Sequence, residues 1–358
     1  MNFCYNGPLN STSFGQTSIG ILRELFRRKI DVPILPIGSG TDLASQEDDP
    51  DFFNWIDNSV ESFHKTHDRK NPSLKLWHLS GGLESVSQNQ TLLSFHEVDD
   101  PTEAEINIAK NNKTVFTSQH SVDVFKNCGV DTHYVPLAFD SDNFKVLNQK
   151  FYNDGRIVFN ISGKLERRKR HEKAIQAWAK RFGGDKRYFL HCSVYNHFLN
   201  PEQNNHLIGK ILNNKHHINI NFLPFMAKNI TYNEYLNAAN VIIGVSGGEG
   251  WGLPEFQSVA LGKYGVILNA HGYQGWANED NSILINPSEK IDCYDNVFFK
   301  RGDKFNQGKF FDFDEDEFIN ACELAISKCE KDPVNKEGLK LQNKFTFKRT
   351  VDSLLELL

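Results

Sequence analysis

The segment Gly244-Val-Ser-Gly-Gly-Glu-Gly-Trp-Gly-Leu-Pro-Glu-Phe-Gln257 restricts the possible folds of this chain more than any other. Residues 240–245, which lead into it, form a short apolar run of the kind found in strands buried on both faces, and residues 256–261 read as a helix. Glycines let the backbone approach a ligand closely, and the free N–H groups at the start of a helix favour an anion such as phosphate. Glu249 sits inside that turn. Its carboxylate only accepts hydrogen bonds and would repel a phosphate, so its natural partners are hydroxyls. Phosphates beside hydroxyls describe a sugar nucleotide. The dinucleotide fingerprint Gly-x-Gly-x-x-Gly does not fit, because Gly248-Glu-Gly250-Trp-Gly252 is followed by Leu-Pro-Glu.

Strand and helix signals alternate along the rest of the chain. In the first half, residues 3–5 predict a strand, 6–15 a turn-rich loop, 16–29 an amphipathic helix with Ile19, Leu22, Leu25 and Phe26 on one face, and 32–37 a second strand. A helix is expected within 52–63, and short strands at 74–79, 91–95 and 114–117. Residues 136–152 lack strong periodicity and precede a new strand at 156–161, which puts a domain boundary near 150. The second half predicts helices at 171–182, 202–213, 231–238 and 254–261, and strands at 187–193, 218–222, 240–245 and 265–268. Residues 291–313 form an aromatic and glycine-bearing insertion, and 318–328 and 347–358 read as closing helices. A chain of 358 residues exceeds one ordinary core and suits two domains with a ligand cleft between them. The expected fold class is α/β with two doubly wound, Rossmann-like domains, residues 1–150 and 151–340, and a terminal helix at 341–358 returning towards the first.

A net charge of −5 gives no support for a nucleic-acid or anionic-membrane partner. The six cysteines include no C-x-x-C pair and no metal-ligand spacing with histidine, which predicts reduced thiols, a cytoplasmic location and no metal. No window approaches the ~18 apolar residues of a spanning helix, and the chain starts without a secretory pattern.

A second constellation is Asn160-Ile-Ser-Gly163-Lys164-Leu-Glu-Arg167-Arg168-Lys169-Arg170-His171. A charge run of this kind is often only a solvated turn. This one follows a strand and a glycine and enters a helix, where backbone donors favour anions, so Lys164 and Lys169 can converge on a diphosphate.

The two segments resemble glycosyltransferase family four, retaining sugar-nucleotide enzymes of the GT-B fold. The resemblance rests on Gly163-Lys164-Leu165…Lys169-Arg170-His171 and on Ser246-Gly-Gly-Glu249-Gly-Trp-Gly-Leu-Pro254…Gln257, with weaker support from Val115 to Ser118 and Tyr134 to Asp140, and it covers residues ~95–290. It implies a nucleoside diphosphate sugar as donor, a UDP- or GDP-sugar, with no cofactor. The implied donor contacts are Gly163, Lys164, Lys169, Ser246, Gly247, Gly248, Glu249, Gly250, Trp251, Gly252, Leu253 and Gln257. Residues 222–226 occupy the place where family members hold the base. His96 is preferred to His78 as the histidine near the transferring sugar, giving His96, Glu249 and Lys169 as the catalytic set. Asn10, Ser11, Thr12 and Gly15, and on the other side His271 and Tyr273, are candidate acceptor or sugar contacts; a plain turn and loop packing are the respective alternatives. Three departures stand out: Lys164 replaces an arginine and loses its two-pronged phosphate grip, Arg170 replaces a glycine, and Gln257 replaces the second glutamate. Glu255 is a possible substitute but lies nearly on the opposite helix face. The departures motivate an alternative, a sugar-nucleotide-binding protein with weakened catalysis. Another is a transferase acting on hydroxylated DNA bases, with Arg23, Arg27, Arg28 and Lys29 as a local basic patch.

Overall fold

The computed structural model describes residues 2–196, 198–213 and 215–358. Among these residues, twelve strands form two six-stranded parallel sheets. The first half carries β1 (Cys4–Leu9), β2 (Ile34–Thr41), β3 (Ser73–Leu76), β4 (Gln90–Ser94), β5 (Lys113–Phe116) and β6 (Thr132–Tyr134), in the spatial order β2-β1-β3-β4-β5-β6. Its helices are α1 (Ser13–Arg27), α2 (Pro50–Thr66), α3 (Glu103–Lys110) and α4 (Gln119–Asn127). The second half carries β7 (Ile157–Gly163), β8 (Tyr188–Val194), β9 (Ile220–Phe222), β10 (Val241–Gly244), β11 (Tyr264–Leu268) and β12 (Ile283–Ile285), in the order β12-β11-β10-β7-β8-β9. Its helices are α5 (His171–Phe182), α6 (Pro201–Ile211), α7 (Asn229–Ala238), α8 (Leu253–Ala260), α9 (Glu315–Lys331), α10 (Lys336–Leu339), α11 (Leu341–Lys344) and α12 (Phe347–Glu356). Residues 135–156 carry neither helix nor strand and lead from one half to the other. No helix among the described residues is long and apolar enough to cross a membrane.

Both sheets reverse strand order next to their first strand, between β1 and β3 and between β7 and β10. In open α/β sheets the crevice at the carboxyl ends of such strands is where ligands bind. Here the two crevices face each other, and residues that follow β1, β3, β7 and β10 line one cavity.

The first loop is shorter than the sequence suggests. β1 runs on through Asn6, Gly7 and Pro8 to Leu9, and α1 begins at Ser13 rather than near residue 16. Turn-forming residues fit inside this strand because β1 pairs with β3 only over Cys4–Asn6, so Pro8 removes no donor from that side. α3 and α4 were not anticipated, although Thr102 and Glu105 make a capping box and Ser118 caps α4. α12 returns to the first half: Val351 and Leu354 join the core of α1, and Arg28 pairs with Asp352 at 2.6 Å.

The insertion folds as an antiparallel hairpin, β13 (Pro287–Asp292) and β14 (Lys309–Phe313), with a long connecting loop. It belongs to the second half yet reaches the first. Lys290 pairs with Asp99 at 2.7 Å, Asn306 N–H donates to Glu105 Oε1 at 3.0 Å, and Thr102 Oγ1 donates to the Lys304 carbonyl at 2.6 Å.

Candidate donor and acceptor cleft

The cavity between the halves encloses about 980 Å³. Its second-half wall begins at the connection from β7 to α5. After Gly163 the chain makes one tight turn over Arg167–Lys169, and Arg170 then takes a left-handed conformation (φ 55°) before α5 starts. A side chain in that conformation costs about 1–2 kcal/mol. Arg170 is held there by a forked ion pair to Asp312 on β14, at 3.1 and 2.6 Å, which accounts for an arginine where the resemblance leads one to expect glycine.

Of the five cations in this turn, Lys164, Arg168 and Lys169 reach the cavity. Lys169 Nζ lies 2.5 Å from Glu249 Oε1, and Arg168 Nη1 lies 3.0 Å from the same oxygen. Arg168 is also shared with Glu97 at 3.1 Å and Glu166 at 2.7 Å, and Lys164 meets Glu166 at 3.0 Å. Three cations and three carboxylates therefore balance in a largely buried network. Burial pushes the Glu249 carboxyl up, but Lys169 and then Arg168 outweigh it and hold the group down at about 2. For Glu97, burial wins over Arg168, the charge of Glu249 adds to it, and the carboxyl is pushed up to about 7. Lys164 has an aromatic surround, its ammonium 4.0 Å from the ring centre of Phe298 and 5.2 Å from that of Phe198.

The glycine turn completes this wall with Glu249, Gly250, Trp251, Gly252, Leu253 and Gln257. Gly252 caps α8 in a left-handed conformation (φ 82°), and the Tyr273 ring fills the space a side chain would need, with Cδ1 2.7 Å from the position of a Cβ. Gln257 reaches the cavity, and its Oε1 is buried with no hydrogen-bond partner among the described residues. Glu255 does not line the cavity: its Cγ lies against Gly244 beneath the turn, and its carboxyl is buried beside Gly252, close enough to feel the charges of Lys169 and Glu249.

The first-half wall comes from the ends of β1, β3 and β4. Asn10, Ser11, Thr12 and Ser13 follow β1, Trp77 and His78 follow β3, and Phe95, His96 and Glu97 follow β4. His96 is buried with Nε2 unpartnered among the described residues and lies edge-on to Phe125 at 4.9 Å. Burial first, then the nearby His120, pulls its pKa down to about 3, so the imidazole is neutral at physiological pH.

Some sequence-derived candidates fall outside the cavity. His271 and Tyr273 are buried behind the glycine turn, where His271 Nε2 hydrogen-bonds the Ser246 carbonyl at 2.8 Å; they pack the loop and do not face the cavity. Ser246, Gly247 and Gly248 also sit behind the wall: the Ser246 hydroxyl donates to the Gly248 carbonyl at 3.2 Å, and the two glycines lie against β14 and the Glu97 carbonyl. Gly15 lies under Asn10. Sequence reasoning in turn missed Glu97, Glu166, Arg168, Trp77 and Phe298. Only Arg168 had a signal, the basic run, which does not say which cations turn inward.

No family model and no curated protein matches the chain. Solved structures do. Sucrose-phosphate synthase from Thermosynechococcus elongatus superposes with a TM-score of 0.70 at 13% identity, covering 100% of this chain and 98% of that one. A glycosyltransferase from Rickettsia africae gives 0.67 at 13% identity, covering 99% and 97%. Anabaena HepE in complex with UDP-glucose gives 0.65 at 14% identity, covering 100% of both chains. The chain has the GT-B fold. In GT-B terms, the first sheet and the second sheet present their carboxyl ends to a shared cleft, and the matched structures are GT-B glycosyltransferases.

Proposed function

We propose that the protein is a retaining glycosyltransferase that moves a sugar from a nucleoside diphosphate to an acceptor hydroxyl. The observation that carries this reading is the Lys169–Glu249 pair on the cavity wall, a cation for a diphosphate beside a carboxylate for sugar hydroxyls. Lys169 and Lys164 would neutralise charge on the departing diphosphate, help that grows as the bond to the sugar breaks. Glu249, kept ionised by its two cations, would accept from the donor sugar's hydroxyls, and the unpartnered Gln257 carbonyl oxygen would accept from the ribose. His96, neutral and pressed against Phe125, would position the sugar by hydrogen bonding without carrying charge. In the transfer step the bond from the anomeric carbon to phosphate oxygen breaks, the bond to the acceptor oxygen forms on the same face, and the acceptor's proton passes to the departing phosphate.

The test is a donor panel of UDP-, GDP- and ADP-sugars, read by calorimetric binding and by release of free nucleoside diphosphate. Binding of at least one donor with slow nucleotide release is expected; no binding to any of them would overturn the reading. A pH dependence follows as well. A diphosphate arriving beside Glu97, whose carboxyl titrates near 7, favours its protonated form, so binding takes up a proton and tightens as pH falls from 8 towards 6.5. Titrations of the nucleotide sugar in buffers of different ionisation enthalpy measure that proton, and Glu97→Gln is expected to remove it.

A further inference from the structure

Charge is divided unevenly across the cavity. Its lysine and arginine side chains, Lys164, Arg168 and Lys169, all come from the β7–α5 turn, and each is engaged with a carboxylate. The first-half wall, among the described residues, contributes charge only as Glu97, Glu105 and Asp140. The buried cations of that half are spent elsewhere: Lys75 donates to the carbonyls of Gly81 and Glu84, both at 2.7 Å, and Arg23 pairs with Asp49 at 2.9 Å. No side-chain hydrogen bond caps the start of α1. Asn10 folds over it, its Oδ1 accepting from Thr12 N–H at 3.0 Å and from Thr12 Oγ1 at 2.6 Å, with its carbonyl packed against Gly15.

What this wall offers instead is aromatic and hydroxylic. Phe14 is buried against Trp77 (5.7 Å between ring centres), His78 (4.4 Å) and Phe95 (4.3 Å). Trp77 is braced by Gly81 as well, and its partly exposed remainder lines the cavity beside Ser11, Thr12 and Ser13. A flat aromatic face suits the C–H face of a sugar ring, and short hydroxyls suit its rim.

We infer that the acceptor is an uncharged sugar ring seated on Trp77, and that phosphorylated or carboxylated sugars are rejected. The inference rests on the transferase reading above, because it assigns the cations to the donor. A phosphate on the acceptor would meet Glu97, Glu105 or Asp140, and the nearest cation, Arg168, is already shared among Glu97, Glu166 and Glu249; like-charge contacts of this kind cost several kcal/mol.

The experiment holds the protein saturated with UDP, GDP or ADP, whichever binds. Saturation-transfer NMR on that complex, and transfer assays in which the corresponding nucleotide sugar replaces the nucleoside diphosphate, then compare free hexoses, aryl hexosides and short oligosaccharides with the corresponding hexose 6-phosphates. Neutral sugars are expected to be preferred by about a hundredfold in kcat/KM or, where transfer is too slow, to show contacts that the phosphates do not. The aryl hexoside and oligosaccharide arms separate a free monosaccharide from the end of a longer glycan. Trp77→Ala is expected to raise the acceptor KM at least tenfold with a much smaller change in the donor KM, and Trp77→Phe to recover most of the loss. Preference for a phosphorylated sugar, or no neutral sugar bound, overturns the inference and leaves the donor reading standing. Failure of UDP, GDP and ADP alike to bind removes the transferase reading itself.

Discussion

Lys169→Ala is expected to lower the rate of sugar transfer by about a hundred- to a thousandfold, the usual cost of removing one preorganised group aimed at developing charge. The ammonium lies 2.5 Å from Glu249 on the cavity wall, in surroundings that are largely buried, where a charge is worth far more than in water. The fold is expected to survive the change, because Arg168 remains 3.0 Å from the same carboxylate oxygen and keeps Glu249 ionised. Far-ultraviolet circular dichroism close to wild type, with nucleotide release reduced by two orders of magnitude or more, would fit this role. Turnover within tenfold of wild type would remove Lys169 from the chemistry.

Arg168→Met carries the largest expected cost in stability. One guanidinium serves Glu97, Glu166 and Glu249 at 3.1, 2.7 and 3.0 Å, and it also donates to the Gly248 carbonyl. Removing it leaves carboxylates crowded out of water with too few cations, and breaking a buried ion pair from one side costs about 3–5 kcal/mol. Urea unfolding is expected to show a lower midpoint with a similar slope. Glu97→Gln in the same chain is expected to return part of the loss, because it removes one of the stranded charges; a strictly additive pair of effects would mean the two groups do not interact.

The second half was legible because its strands are short, apolar and buried on both faces. β10 is Val-Ile-Ile-Gly with every residue buried, and α5 has the bounds that its periodicity indicates. The first half was less legible where turn residues lie inside a strand, as at Gly7 and Pro8, and where a short helix such as α3 announces itself mainly by its cap. Within the site, the glycine turn and the basic turn identify themselves, since each needs unusual residues at fixed places. Trp77 and Glu97 do not, because their importance comes from facing a wall more than 60 residues away in sequence, and no local pattern encodes that. His271 and Tyr273 share the composition of sugar contacts, yet their loop folds behind the glycine turn, and they are used for packing.

The hairpin of β13 and β14 is fastened to the β7–α5 turn through Asp312 and Arg170 and to the opposite half through Asp99, Glu105 and Thr102. A strap anchored on both banks of a cleft must let go of one before the banks can part. On the proposed transferase reading, product departs only once the strap lets go, and unlatching is expected to share in setting the turnover rate. Added salt weakens the exposed Lys290–Asp99 fastening and is expected to quicken turnover until it begins to weaken donor binding too.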